Sequence, residues 1–157
     1  MKVFRIERKK YLKDTLSGKG ASLSDGMRWN SMHTRMVYTA QSRALAMLEI
    51  AVHLDLNEDL PNDRLLIELE IPDQVKIKHL DLKPLPDDWD AKPPGISTQL
   101  FGDECVSAQE FAIMRVPSSI VPEEFNFLIN PLHPDARKIK VIGHKPLQLD
   151  PRLIHKK

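Results

Sequence analysis

From Gln41 to Leu54 the chain is a run of strong helix formers, rich in Ala, Leu, Met and Glu, with no glycine or proline to break it and with Thr39 or Ser42 as the candidate cap. Around it the sequence splits into short segments with the two-residue period of strands. Residues 3–6 (Val3, Phe4, Arg5, Ile6) read as an opening strand, and residues 36–39 as a second. Beyond Pro61, Leu65, Ile67, Leu69 and Ile71 alternate with Arg64, Glu68 and Glu70, with Leu66 the one apolar exception. Val75, Ile77 and His79 suggest another strand, stopped by Pro84 and Pro86. Residues 111–116 and 125–129 predict two more, ended by Pro117 and Pro131, and a last strand covers 138–142 or 147–149. A second helix is predicted over 97–109, opened by Ser97 or Thr98. Strands outnumber helices and no clean βαβ alternation occurs. The predicted class is therefore α+β, a single compact domain over residues 1–157 with a mixed, mainly antiparallel β core flanked by helices.

Composition excludes several classes of function. A net charge of +1 gives no basic excess for nucleic acid, and Arg8-Lys9-Lys10 and Lys156-Lys157 are too short to change that. One cysteine, Cys105, cannot form an internal disulfide, which fits a reducing cytoplasm. No apolar run is long enough to span a bilayer, and the alternating start does not resemble a signal peptide, so the chain is expected to be mature from residue 1. His33, His53, His79, His133, His144 and His155 are scattered, without metal-ligand spacing, so no metal site is expected. Gly-x-Gly-x-x-Gly, Walker-type and Gly-x-Ser-x-Gly motifs are all missing.

The informative residues are polar groups at positions where packing favours apolar ones. Leu45, Leu48 and Val52 lie at helical spacing and predict an inward stripe, and Glu49 falls on it. A carboxylate there meets a buried partner or sits at the stripe edge beside a surface cation. Arg28 lies in Gly26-Met27-Arg28-Trp29-Asn30, where a guanidinium beside a glycine bend suits a phosphate, or equally stacks on Trp29 or pairs with a carboxylate. Leu16-Ser17-Gly18-Lys19-Gly20 is a loop whose glycines permit unusual backbone angles. Two strand ends carry polar groups, Arg115-Val116-Pro117-Ser118-Ser119 and Phe125-Asn126-Phe127-Leu128-Ile129-Asn130; turn chemistry alone also explains both.

Taken in order, these pieces resemble a known family. Val3-Phe4-Arg5-Ile6, Leu16-Ser17-Gly18-Lys19-Gly20-Ala21, Arg28-Trp29-Asn30-Ser31, Val37-Tyr38-Thr39-Ala40 and Ala44-Leu45-Ala46-Met47-Leu48-Glu49 match in the first third of the chain. Leu85-Pro86-Asp87-Asp88-Trp89, Thr98-Gln99-Leu100-Phe101-Gly102-Asp103, Arg115-Val116-Pro117-Ser118, Asn130-Pro131-Leu132-His133-Pro134 and Asp150-Pro151-Arg152-Leu153 continue the match nearly to the end. The chain thus resembles the RES-domain toxins of bacterial toxin–antitoxin pairs, named for Arg, Glu and Ser. One departure stands beside the arginine: the family's Gly-Gly is here Gly26-Met27.

The resemblance implies an ADP-ribosyltransferase-like fold, NAD as substrate rather than cofactor, and depletion of cellular NAD by cleavage of the nicotinamide–ribose bond. It implies a cytoplasmic protein with a cognate Xre-type helix-turn-helix antitoxin that covers the site and carries any contact with DNA, no membrane association, and it admits a homodimer within that complex. By position it makes Arg28, Glu49 and Ser118 the catalytic residues, with Tyr38, Asn130, Trp29 and Gly26 binding substrate. Glu49 then faces the cation developing on the ribose, Arg28 anchors phosphate, Ser118 positions the nicotinamide-ribose end, Tyr38 stacks on or bonds a ring, and Asn130 holds Ser118 or the ribose. ADP-ribosyl transfer to a protein would use the same constellation. A non-catalytic module of a repressor complex is the remaining alternative.

Overall fold

The computed structural model describes residues 1–53, 63–150 and 152. Seven strands form one sheet: β1 (Lys2–Arg8), β2 (Val37–Ala40), β3 (Arg64–Glu70), β4 (Ile77–His79), β5 (Ile113–Pro117), β6 (Phe125–Ile129) and β7 (Lys140–Pro146). Their order across the sheet is β4-β5-β6-β2-β1-β3-β7. Every pairing is antiparallel except β4 with β5, so the α+β class and the mainly antiparallel core are as the sequence predicts. The helices are α1 (Lys19–Ser22), α2 (Arg43–His53) and α3 (Ile96–Ala108).

Strand alternation sends two sets of side chains to opposite faces. Val3, Val37, Leu65, Ile67, Leu69, Ile113, Phe127 and Ile129 form a core on one face, capped by Leu12, Leu16 and Ala136 from the connecting segments. On the other face Phe4, Ala40 and Leu66 pack under α2, and Met114, Val116 and Leu128 lie in one cluster with Val106 and Phe101 of α3. Leu66, the apparent break in the alternation of β3, is buried because both faces of this strand are covered.

The cap of α2 is one of the two expected residues, and the edges of several other elements differ from expectation. Ser42 caps α2: its Oγ accepts from Leu45 N at 3.0 Å, whereas Thr39 is buried in β2 and donates to the Phe127 carbonyl. Leu54, expected at the end of this helix, and Pro61 lie outside the described residues. For α3 the N-cap is Gly95, without a side-chain cap; Ser97 Oγ bonds Asp88, and Thr98 Oγ1 donates to the Gly95 carbonyl. β4 begins only at Ile77 because Val75 closes a turn onto Pro72. β7 occupies 140–146 rather than either predicted range; it is an edge strand paired only with β3, and its exposed residues carry no two-residue hydrophobic period. Of the two glycines in the 16–20 segment only Gly18 takes a positive φ, of 66°, and a side chain there would meet the Met36 backbone; Gly20 is helical.

The inward face of α2 also needs correcting. Leu45 is fully buried and Ala46 nearly so, but Leu48 is 42% and Val52 60% exposed. The helix is short and leans on the sheet through its small side, where Ala46 lets it approach Phe4 and Leu66. Leu48 and Val52 fall on the outer side, and Glu49 is half-buried at the boundary rather than on an apolar stripe.

Candidate active site

Glu49 projects from α2 toward the ends of β5 and β6. Its Oε1 accepts two hydrogen bonds, from Ser118 Oγ at 2.9 Å and from Asn126 Nδ2 at 2.6 Å. Oε2 has no hydrogen-bond partner among the described residues. Ser118 is fully buried just beyond β5, and its Oγ also accepts from Ile120 N and Val121 N, at 3.1 and 3.2 Å. The serine therefore links the strand-exit turn to the carboxylate.

Arg28 lies on the same side of the sheet. Its Nη1 donates to two backbone carbonyls, Trp89 O at 2.7 Å and Ala91 O at 3.0 Å. Among the described residues it forms no ion pair, and its charge is held in place by the neutral dipoles of two carbonyls. Partial burial lowers its pKa, opposed by the charges of Glu49 and Asp90 and by Tyr38. The turn that holds it is fixed in turn: Ala91 N donates to Asp88 O, and Asp88 accepts from Ser97 Oγ at the start of α3.

One face of α3 sets the loop that carries Arg28. Gln99 Nε2 donates to Asp25 O at 2.9 Å and Met27 O at 2.8 Å. Gly102 lies against the Trp29 backbone, and Asp103 accepts from Ser31 N and Ser31 Oγ. Positions 99, 102 and 103 are one helical face. Beneath the loop, Asn30 is fully buried; its amide donates to Ala21 O, Ser31 O and Thr34 O, and its Oδ1 accepts from Tyr38 Oη at 2.7 Å. Tyr38 Oη also accepts from Trp29 N at 3.0 Å. Burial, only partly offset by that N–H, pushes the Tyr38 hydroxyl far above its ordinary range and favours its neutral form.

The structure brings Arg28, Glu49, Ser118 and Tyr38 to one face and separates the others from them. Trp29, expected at the substrate, is 3% exposed and packs edge-to-face on Phe101 at 6.3 Å. Gly26 is exposed, and a side chain there would meet only Ser24 Oγ at 4.0 Å, so this glycine meets no steric demand for close backbone approach. Asn130 does not hold Ser118: its Nδ2 donates to Val106 O and its Oδ1 accepts from Leu132 N, tying the end of β6 to α3. The asparagine that reaches the carboxylate is Asn126, at the opposite end of β6, about 13 Å along the strand. Strand alternation places both amides on one face; only the position of α2 selects between them. Two surface cavities, of about 230 Å³ and 190 Å³, lie between α2 and β7, and neither is lined by Arg28 or Glu49. Among the described residues no cluster of His, Cys, Asp and Glu could hold a metal ion, and no helix is long and apolar enough to cross a membrane.

The family profile described as the RES domain matches residues 2–150. The chain is 47% identical to the Prs ADP-ribosylating toxin of Sphingobium sp. (strain YBL2), over 93% of this chain and 91% of that protein. It is 36% identical to the Toxin Res of Photorhabdus laumondii, covering 100% of this chain and 99% of the relative. The crystal structure of the M. tuberculosis MbcT–MbcA toxin–antitoxin complex contains a chain of the same fold, with a TM-score of 0.71 at 16% identity, over 93% of this chain and 83% of that one.

Proposed function

The chain belongs to the RES-domain family, and on that premise we propose that it is the toxin of a toxin–antitoxin pair, acting in the cytoplasm as one domain that cleaves the nicotinamide–ribose bond of NAD. The observation that carries this reading is a guanidinium, Arg28, held only by backbone carbonyls within reach of the charge of a clamped carboxylate, Glu49, whose second oxygen is free among the described residues. The nicotinamide ring of NAD is cationic. It leaves with the electron pair of the C1′–N bond and needs no general acid. Positive charge then spreads over C1′ and the ring oxygen of the ribose. Glu49 Oε2 is the negative group available to face that charge and the ribose hydroxyls, and a preorganised carboxylate stabilises it more than reorganising water does. Arg28, with Nη1 already engaged, offers its remaining donors to the pyrophosphate or to an incoming phosphate.

Other roles follow from the contacts. Ser118 acts through Glu49, since its hydroxyl is fully used. Tyr38 ties its hydroxyl to the Arg28 loop. Trp29, Gly26 and Asn130 support the loop and the strand end from outside the reacting centre. NAD is a substrate in this reading. Water or phosphate takes up the ribosyl carbon, and the attacking group gives its proton to Glu49 or solvent. The partner is a cognate Xre-type antitoxin that covers the site and supplies the DNA contact.

A second reading, transfer of ADP-ribose to a protein, is favoured by the name of the Sphingobium relative at 47% identity. Purified protein incubated with NAD labelled in the adenine separates the two. Free labelled ADP-ribose or its phosphate supports degradation, and label bound to a protein supports transfer. Full NAD consumption by Glu49→Gln would sink both.

A further inference from the structure

Strand β6 turns Phe125, Phe127 and Ile129 to one face and Asn126, Leu128 and Asn130 to the other. Asparagine is a poor strand former, and packing alone favours a β-branched residue at 126, opposite Ala40 of β2 and Val116 of β5. Asn130 is explained by its bonds to Val106 and Leu132. For Asn126 the bond to Glu49 Oε1 is the sole hydrogen bond of its side chain among the described residues. No other structural duty accounts for the amide.

The two donors on Oε1 come from different places. Ser118 Oγ is aimed by the two backbone N–H groups it accepts from, at the exit of β5. Asn126 Nδ2 approaches from the adjacent strand at 2.6 Å. A glutamate side chain held by one bond still pivots about it. A second donor on the same oxygen removes that freedom and fixes the direction of the other oxygen.

Resting on the reading of Glu49 as the carboxylate that faces the ribosyl group, we propose that Asn126 is a positioning residue: it pins Glu49 Oε1 to the sheet, so that Oε2 is the oxygen presented to substrate. An amide suits this task because it donates without bringing a competing negative charge beside the carboxylate. Asn126 acts on the rate of bond cleavage and not on the affinity for NAD, which falls to Arg28.

The test uses the purified whole chain and measures kcat and KM for nicotinamide release from NAD. Asn126→Val suits the strand and so preserves folding; it is expected to lower kcat by about 10- to 100-fold, the range for a hydrogen bond to a charged group, with KM little changed. Asn126→Asp has the same shape but presents an oxygen to Oε1, and is expected to lose at least as much. In Glu49→Asp, whose carboxylate is drawn back by one methylene, adding Asn126→Val is expected to cost almost nothing further. An unchanged kcat in Asn126→Val, or an equal loss in both backgrounds, would overturn the proposal. A second readout needs no turnover: the Asn126 side-chain NH₂ resonances are expected to move on Glu49→Gln, and resonances that stay in place would overturn the clamp. If the wild-type protein leaves NAD intact, the functional reading fails, and the resonances still decide whether the clamp exists.

Discussion

Gly102 of α3 packs so tightly against Trp29 that a Cβ there would lie 2.8 Å from the Trp29 carbonyl carbon and closer still to its oxygen. Both contacts are with backbone, which cannot swing aside as a flexible side chain does. Alanine in a helix gains up to about 1 kcal/mol over glycine, but overpacking costs about 1–3 kcal/mol or more. Gly102→Ala is therefore expected to destabilise the fold and to push the Trp29 backbone, and Arg28 beside it, out of place. Urea unfolding should show a lower midpoint, and KM for NAD should rise. An unchanged KM would separate this contact from the site.

Arg28→Lys tests whether the guanidinium fork is needed. Nη1 alone satisfies the Trp89 and Ala91 carbonyls, leaving other donors for a ligand. An ammonium that reaches those carbonyls has no second nitrogen to offer, so KM for NAD is expected to rise by about tenfold or more, with a smaller effect on kcat. A fall in kcat at constant KM would instead place Arg28 at the bond being broken.

How much of this arrangement the sequence reveals depends on the residue. The strand core was legible because Leu65, Ile67 and Leu69 keep a strict period, and the cleanest helix was legible from its composition. Its orientation was not. Leu48 and Val52 share a helical face with each other, yet the buried side runs through Leu45 and Ala46, because a small alanine permits closer packing than a leucine does. Arg28, Glu49 and Ser118 were found by ordered resemblance, and the geometry revises what they touch. Trp29 is a substrate-binding residue by resemblance, but with its side chain 3% exposed and its backbone against Gly102 it is a core residue here. Asn126 and Asn130 share a strand face, so the alternation that identifies both cannot say which lies under α2. Gln99, Gly102 and Asp103 lie in a stretch that resembles the family but has no role readable from sequence; their common helical face holding the Arg28 loop exists only in three dimensions.

Tyr38 has a consequence for alkaline stability. Burial raises its hydroxyl above the ordinary value of 10.0, while in the unfolded chain it ionises near that value. Above about pH 10 the unfolded state therefore loses a proton that the native state retains, and stability falls as pH rises, by at most about 1.4 kcal/mol per pH unit from this group. The contribution is fully present below pH 10. Tyr38→Phe should be less stable near neutrality, by about 1–3 kcal/mol, because Asn30 Oδ1 and Trp29 N lose their partner. It should also show a shallower decline at high pH. Equal alkaline slopes for the two proteins, read by urea unfolding at pH 8 to 11, roughly the span around the unfolded-state ionisation, would contradict this.

Ser118→Ala removes one bond to Glu49 and the acceptor for Ile120 N and Val121 N. Leaving those donors in a buried turn is expected to cost about 1–3 kcal/mol or more, so this variant should lose both stability and kcat. Asn126→Val should lose kcat alone. A Ser118→Ala protein with native stability would show that the turn after β5 finds other partners.

The hydrogen bonds that define the carboxylate join residues 69 and 77 positions apart in the chain, with the helix emerging first. On the ribosome Glu49 is therefore made well before Ser118 and Asn126, and β2 must wait for β6 to pair with it. Every copy of this polypeptide thus passes through an interval in which most of it exists and the proposed reacting centre does not. A partner that engages the early segments during that interval would meet a harmless chain.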